Sequence, residues 1–207
     1  MSNTRYEPTR TGLLLVDPYN DFLAPEGKLW PYAKEVAESV NMLAHLRSIM
    51  DAVREVGTQV FFVPHHRWEP DDYEKWRHAN PSQLAAARRQ SFAKDSWGGT
   101  FHDDFQPQSG DVIIKEHWAQ SGFANTDLDH QLKEHGIEKI VLIGMLANTC
   151  IESTGRYGME LGYHVTLVKD ATAAFSQEAM HAAHHVNGPT FAHEILNTSE
   201  FVNRLGS

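Results

Sequence analysis

The chain has 207 residues, 41% of them hydrophobic and 22% charged, and its 18 basic and 27 acidic side chains give a net charge of −9. That length suits one α/β domain with its own core, and the acidic balance argues against a nucleic-acid phosphate binder or a polybasic membrane surface. A lone cysteine, Cys150, excludes an internal disulfide, a zinc ribbon or an iron–sulfur centre, and leaves a buried filler, a surface thiol or a nucleophile.

No apolar run follows a basic start in MSNTRYEPTRTG, so no signal peptide is expected. No apolar stretch nears the ~20 residues of a membrane helix. The expected location is the cytoplasm.

The first apolar run, 13–16 in TGLLLVD, reads as a buried strand. Residues 34–56 carry apolar positions at Val36, Val40, Leu43, Leu46, Ile49, Met50 and Val53, which predicts one amphipathic helix closed by Gly57. A second strand follows at 60–63. The segment 64–110 shows no clear strand and is polar and aromatic, holding Trp68, Trp76 and Trp97, with Trp118 just beyond. A loop of that length in a compact domain is expected to form a pocket wall or a subunit contact. Further strands are predicted at 112–114, 140–143 and 164–168, and helices at 126–135, 151–161 and 177–186. Thr126 and Asp129 are expected as a capping pair and Ser176 as a cap. A last strand at 191–196 and a helix at 199–205 complete the chain. Alternating strands and helices predict a Rossmann-like three-layer αβα sandwich around a central, mainly parallel sheet, in a single domain.

Sites in such sheets form beyond the carboxyl ends of the strands. Asp17 ends the first strand, His65 and His66 follow the second, Lys115 and His117 end the third, and Cys150 follows the fourth at a strand-to-helix turn. On an unbroken strand Lys115 and His117 share a face. A thiol at a helix N-terminus gains from the dipole and from free N–H groups. A lysine beside it would favour thiolate and steady a developing negative charge. Asp21 is expected to hold the loop after the first strand. Two histidine groups, His65, His66 and His78 with Asp71 and Asp72, and His181, His184 and His185, raise the question of a metal. Neither has an HExxH-like spacing, and no Walker or GxGxxG motif follows a strand. No cofactor and no metal are therefore expected.

Three segments together, GLLLVDPYNDF at 12–22, SGFANTDLDHQLKEHGIEKIVLIGMLANTCIEST at 121–154 and GYHVTLVKDATAAF at 162–175, resemble the isochorismatase-like cysteine hydrolases. That superfamily also holds nicotinamidases, N-carbamoylsarcosine amidohydrolases and ureide or biuret hydrolases. The resemblance implies an Asp–Lys–Cys triad: Asp17 as acid–base, Cys150 as nucleophile and Lys115 as the cation, with His117 as the alternative, because the family lysine often stands six residues before the phenylalanine matched by Phe123. It also implies a cis peptide at Met145–Leu146 and an oxyanion hole made by the N–H groups of Leu146 and Cys150. True isochorismatases have glycine at the cysteine position, so Cys150 points to C–N cleavage. PHHRWEPDD at 64–72 lacks the nicotinamidase order of metal ligands. The implied function is cysteine amidohydrolysis of a small amide, carbamoyl or ureide compound through a thioester. The alternatives are a non-catalytic binding member and a metal-assisted hydrolase of nicotinamidase type. Phe22, Trp68, Trp97, His117 and Trp118 are the candidate substrate contacts, and the expected partners are a small substrate and further copies of the chain, with no nucleic acid or membrane.

Overall fold

The computed structural model describes residues 4–206. Six strands, β1 (Thr11–Val16), β2 (Gln59–Val63), β3 (Val112–Ile113), β4 (Lys139–Met145), β5 (His164–Ala173) and β6 (Glu194–Leu196), form one parallel sheet in the order β3-β2-β1-β4-β5-β6. This is the expected three-layer sandwich.

The consecutive apolar residues explain both layers, since neighbours on a strand point to opposite faces. Leu13, Leu15, Val60, Phe62, Val141 and Ile143 pack on one side with Leu46, Ile49, Val53 and Phe201. Those four come from α3 (Met42–Glu55) and α8 (Thr198–Val202). Leu14, Val16, Phe61, Val63, Ile140 and Leu142 pack on the other side with Leu128 and Leu132 of α5 (Leu128–Glu134).

Several elements depart from expectation. The helix predicted over 34–56 is two, α2 (Trp30–Ser39) and α3, after α1 (Asn20–Leu23). Asn41 between them adopts a left-handed φ of 52°, which asparagine tolerates better than most residues and which turns the chain without breaking the apolar stripe. Asp127, not Thr126, stands at the start of α5 and gives it no side-chain cap, while Asp129 bonds Lys133 and Tyr163. The last helix is capped by Asn197 in a capping box with Glu200. Segment 64–110 contains α4 (Pro81–Arg89), capped reciprocally by Asn80 and Gln83. β5 runs on to Ala173 past an irregularity in its pairing with β4.

Gly144 positions β1 against β4 at their carboxyl ends. Its φ is +110°, and a Cβ there would sit 2.2 Å from the Val16 carbonyl oxygen. Only glycine accepts both the conformation and the approach.

Candidate active site

Three strand ends meet at one place. β1 delivers Asp17, whose left-handed φ of 53° turns it out of the strand direction. β4 runs into the Met145–Leu146 peptide, which is cis, and then into a π-helical turn, Ala147–Ile151, continuing as α6 (Glu152–Glu160). Cys150 lies in that turn. The third contributor comes from beyond β3.

That contributor is His117, not Lys115. In β2–β3 Phe62 pairs with Ile113, yet further on His65 pairs with His117. The offset grows from 51 to 52, so one extra residue is inserted on the β3 side. An inserted residue reverses the inside–outside alternation. Ile113 and Lys115 face outward and His117 inward. The Lys115 N–H bonds Asp127 Oδ1, and the lysine lines a separate hollow with Arg67 and Glu116. The expectation that Lys115 and His117 share a face is thus corrected, and Lys115 lies outside the cluster.

His117 and Asp17 are both 0% exposed, with Nε2 3.0 Å from Oδ1. One ligand atom each from Asp17, His117 and Cys150 lies within 4.8 Å of the others. Asp17 is bonded to the Cys150 thiol as well as to His117, while His117 Nδ1 has no hydrogen-bond partner among the described residues. A carboxylate so placed can accept the thiol proton. The thiol is held well above its usual pKa, by burial and then by the negative charge of Asp17, while the Leu146 N–H facing the sulfur pulls the other way. At rest the group is therefore a thiol.

Cys150 opens onto a cavity of about 270 Å³, roughly nine waters' worth. Phe22, Leu29, Phe92 and Phe175 give it apolar walls, and His65, Asn148, Thr149 and Gln120 supply polar groups. Asp21 fixes one wall: its carboxylate accepts from the N–H of Lys28 and of Phe92. His65 bonds the His66 carbonyl through Nδ1, and burial, reinforced by His117, pulls its pKa down to about 4. It is therefore neutral at pH 7, with Nδ1 carrying the proton.

Of the expected substrate contacts, Phe22 lines this cavity. Trp68, Trp97 and Trp118 are not among its lining residues, and His117 lies behind Cys150 rather than on the wall. The tryptophans have other contacts. Trp118 stacks on His66 at 3.8 Å, Trp68 pairs its backbone with Ser91 and Lys94, and the Trp97 carbonyl accepts from Asn20. The wall is instead built by Ser82, Ala86, Arg89, Ser91 and Phe92, in and after α4. The signal for it was present in Asn80, Pro81 and Gln83, a capping box with proline at the first helical position.

The histidine groups are not gathered around a metal position. His66 uses Nε2 on Asp72 and faces Glu116 with Nδ1. His184 bonds Thr172, while His181 and His185 stack on each other. Among the described residues the grouping of potential ligands is Asp17, His117 and Cys150 itself.

An isochorismatase domain model matches residues 11–198. Ureidoacrylate amidohydrolase RutB of Acinetobacter baylyi is 30% identical over 207 residues, covering 95% of this chain and 84% of the relative. Among solved structures, a cysteine hydrolase from Pseudomonas syringae superposes with a TM-score of 0.80 at 24% identity, covering 99% of this chain and 98% of the other. N-carbamoylsarcosine amidase from Thermoplasma acidophilum gives 0.67 at 26%, covering 91% and 96%. The chain belongs to the isochorismatase family.

Proposed function

We propose that the protein hydrolyses a C–N bond of a small ureide or carbamoyl compound through a thioester on Cys150, with Asp17 as the acid–base and His117 in the place of the family lysine. The observation that carries this reading is the closure of Asp17, His117 and Cys150 within 4.8 Å beside a cavity. The kinship with ureidoacrylate amidohydrolases and N-carbamoylsarcosine amidase supports the bond type.

The Cys150 thiol gives its proton to the Asp17 carboxylate as sulfur bonds the carbonyl carbon, and the carbonyl electrons move to oxygen. The N–H of Leu146 faces the sulfur and, with that of Cys150, is assigned to the oxyanion. When the C–N bond breaks, Asp17 returns the proton to the departing nitrogen. Water then attacks the thioester, giving a proton to Asp17, and the C–S bond breaks as sulfur recovers that proton. His117 donates to Asp17 throughout, so that the carboxylate stays oriented and its charge is partly offset. Cys150 supplies the nucleophile that a thioester route to C–N cleavage needs, whereas the resemblance assigns vinyl-ether cleavage to members with glycine there.

The test is an ammonia-release assay over ureides and carbamoyl amino acids, with intact-mass detection of an acyl adduct. Cys150→Ala is expected to keep the fold and to lose both turnover and adduct. Full turnover by that variant would refute the mechanism.

A further inference from the structure

We propose that His65 positions the departing nitrogen: its Nε2 accepts an N–H of that nitrogen and so turns the nitrogen lone pair towards Asp17. The enzyme is thereby selective for leaving nitrogens that carry a hydrogen. This rests on the hydrolytic reading above and adds a positioning group to it.

The tautomer of the ring carries the inference. His65 Nδ1 lies 2.8 Å from the His66 carbonyl oxygen, and a carbonyl can only accept, so Nδ1 donates. Burial and His117 keep the ring neutral, which leaves Nε2 as a bare acceptor. Nε2 has no hydrogen-bond partner among the described residues, yet it is not sealed off as the unpaired Nδ1 atoms of His117 and His184 are. His65 is half-buried and lines the cavity together with Leu146 and Cys150. No aspartate or glutamate stands on that wall. Arg89 can only donate there, and the amide and hydroxyl side chains both donate and accept. His65 is thus the lining side chain suited to take an N–H and nothing else.

The sheet order says which N–H. β2, β1 and β4 are neighbours, with His65 beyond β2, Asp17 beyond β1 and Cys150 beyond β4. The N–H groups assigned to the oxyanion stand on the β4 side, so the substrate oxygen goes there. The nitrogen that takes the Asp17 proton then lies towards β1 and β2. The His65 ring is 5.0 Å from that of His117, whose Nε2 is 3.0 Å from Asp17 Oδ1, so His65 flanks the acid on that side. Addition of sulfur frees the nitrogen lone pair from the carbonyl, and that lone pair must then face the proton on Asp17. An N–H held by His65 fixes rotation about the C–N bond in the productive sense. As the bond breaks, its electrons pass to nitrogen and the proton comes from Asp17. His65 keeps its hydrogen bond and takes no proton.

Comparing leaving groups tests this. His65→Leu removes the acceptor, and His65→Gln keeps one near the place of Nε2. The readouts are ammonia from biuret, N-carbamoylglycine and acetamide, and 4-nitrophenolate from 4-nitrophenyl acetate, whose leaving oxygen carries no hydrogen and needs no proton. Acetamide and that ester give the same acetyl thioester, so they differ in the leaving group alone. His65→Leu should lower kcat for ammonia release about tenfold or more, with ester turnover falling far less, and His65→Gln should recover part of the loss. The ratio of the two reactions is insensitive to a general loss of folded protein. Equal losses in both reactions, ammonia release indifferent to His65→Leu, or a His65→Gln variant no better than His65→Leu would overturn the proposal and leave the hydrolytic reading standing. No ammonia from any of these probes with the wild type would refute the hydrolytic reading and the proposal with it.

Discussion

Replacing His117 by alanine tests the buried pair at the centre of the site. Asp17 and His117 are both 0% exposed, with His117 Nε2 3.0 Å from Asp17 Oδ1, and the Cys150 thiol is the other group bonded to the carboxylate. His117→Ala would leave a buried carboxylate with the Cys150 thiol as its remaining side-chain donor. Removing one partner of a buried pair costs about 3–5 kcal/mol, much of it the penalty of the charge left behind. If that account is right, the cost depends on Asp17 being charged. In an Asp17→Asn background the same substitution should cost only about 1–2 kcal/mol, the scale of a lost neutral bond and a small cavity. Urea unfolding of the wild type, the two single variants and the double variant closes the cycle, with m-values checked for constancy. Additive losses, or less than about 1 kcal/mol for His117→Ala alone, would refute a charged, paired Asp17. His117→Lys should retain more ammonia release than His117→Ala, because it restores a donor beside the carboxylate.

Three further outcomes are expected. Iodoacetamide should alkylate Cys150 slowly at neutral pH and faster as pH rises, since burial and Asp17 push its pKa up; Asp17→Asn removes one of those causes and should shift the rate profile to lower pH, and an unshifted profile would count against the coupling. Burial, with lesser repulsion from His185 and Lys169, pulls His184 down from 6.5 to about 4, so the unfolded chain binds the proton more readily and stability falls as pH drops from 6.5 towards 4. The loss approaches about 3 kcal/mol at most, and unfolding curves of His184→Gln should be flatter across that window than those of the wild type. Carboxylate, imidazole and thiolate are ligands that zinc accepts, so micromolar zinc should inhibit and protect Cys150 from alkylation, with both effects reversed by EDTA; alkylation indifferent to zinc would show that the cluster does not rearrange around a cation.

Much of the fold was legible because buried parallel strands carry a local signal. Runs such as LLLV and IVLI announce coverage on both faces, and with glycines closing the helices they lead to the layer order. The thiol and the acid were each placed at a strand end, where site residues collect, and the family resemblance singled them out. The third member was not. Lys115 and His117 are two apart, and simple alternation puts them on one face. The extra residue that separates them is a feature of pairing with β2, visible only once His65 is seen opposite His117. The cavity wall was lost differently. Tryptophans attract attention as pocket residues, but Trp118 has a partner in His66, whereas small Ser82 and Ala86 and the exposed Arg89 serve the cavity through helix geometry. The missed turn at Asn41 reflects a single left-handed residue inside an otherwise continuous periodicity.

The close approach at Gly144 has a consequence for how such an enzyme can change. Asp17 and Cys150 follow β1 and β4, and the interval between those strands at their ends is set by bare backbone. The cavity wall hangs on α4, in a different stretch of chain. Under the proposed reading, reactivity and selectivity belong to separate parts of the molecule. Exchange of residues 81–92 is expected to reshape the cavity while leaving the thiol in place, whereas a single methyl group at position 144 would push β1 and β4 apart beside Asp17.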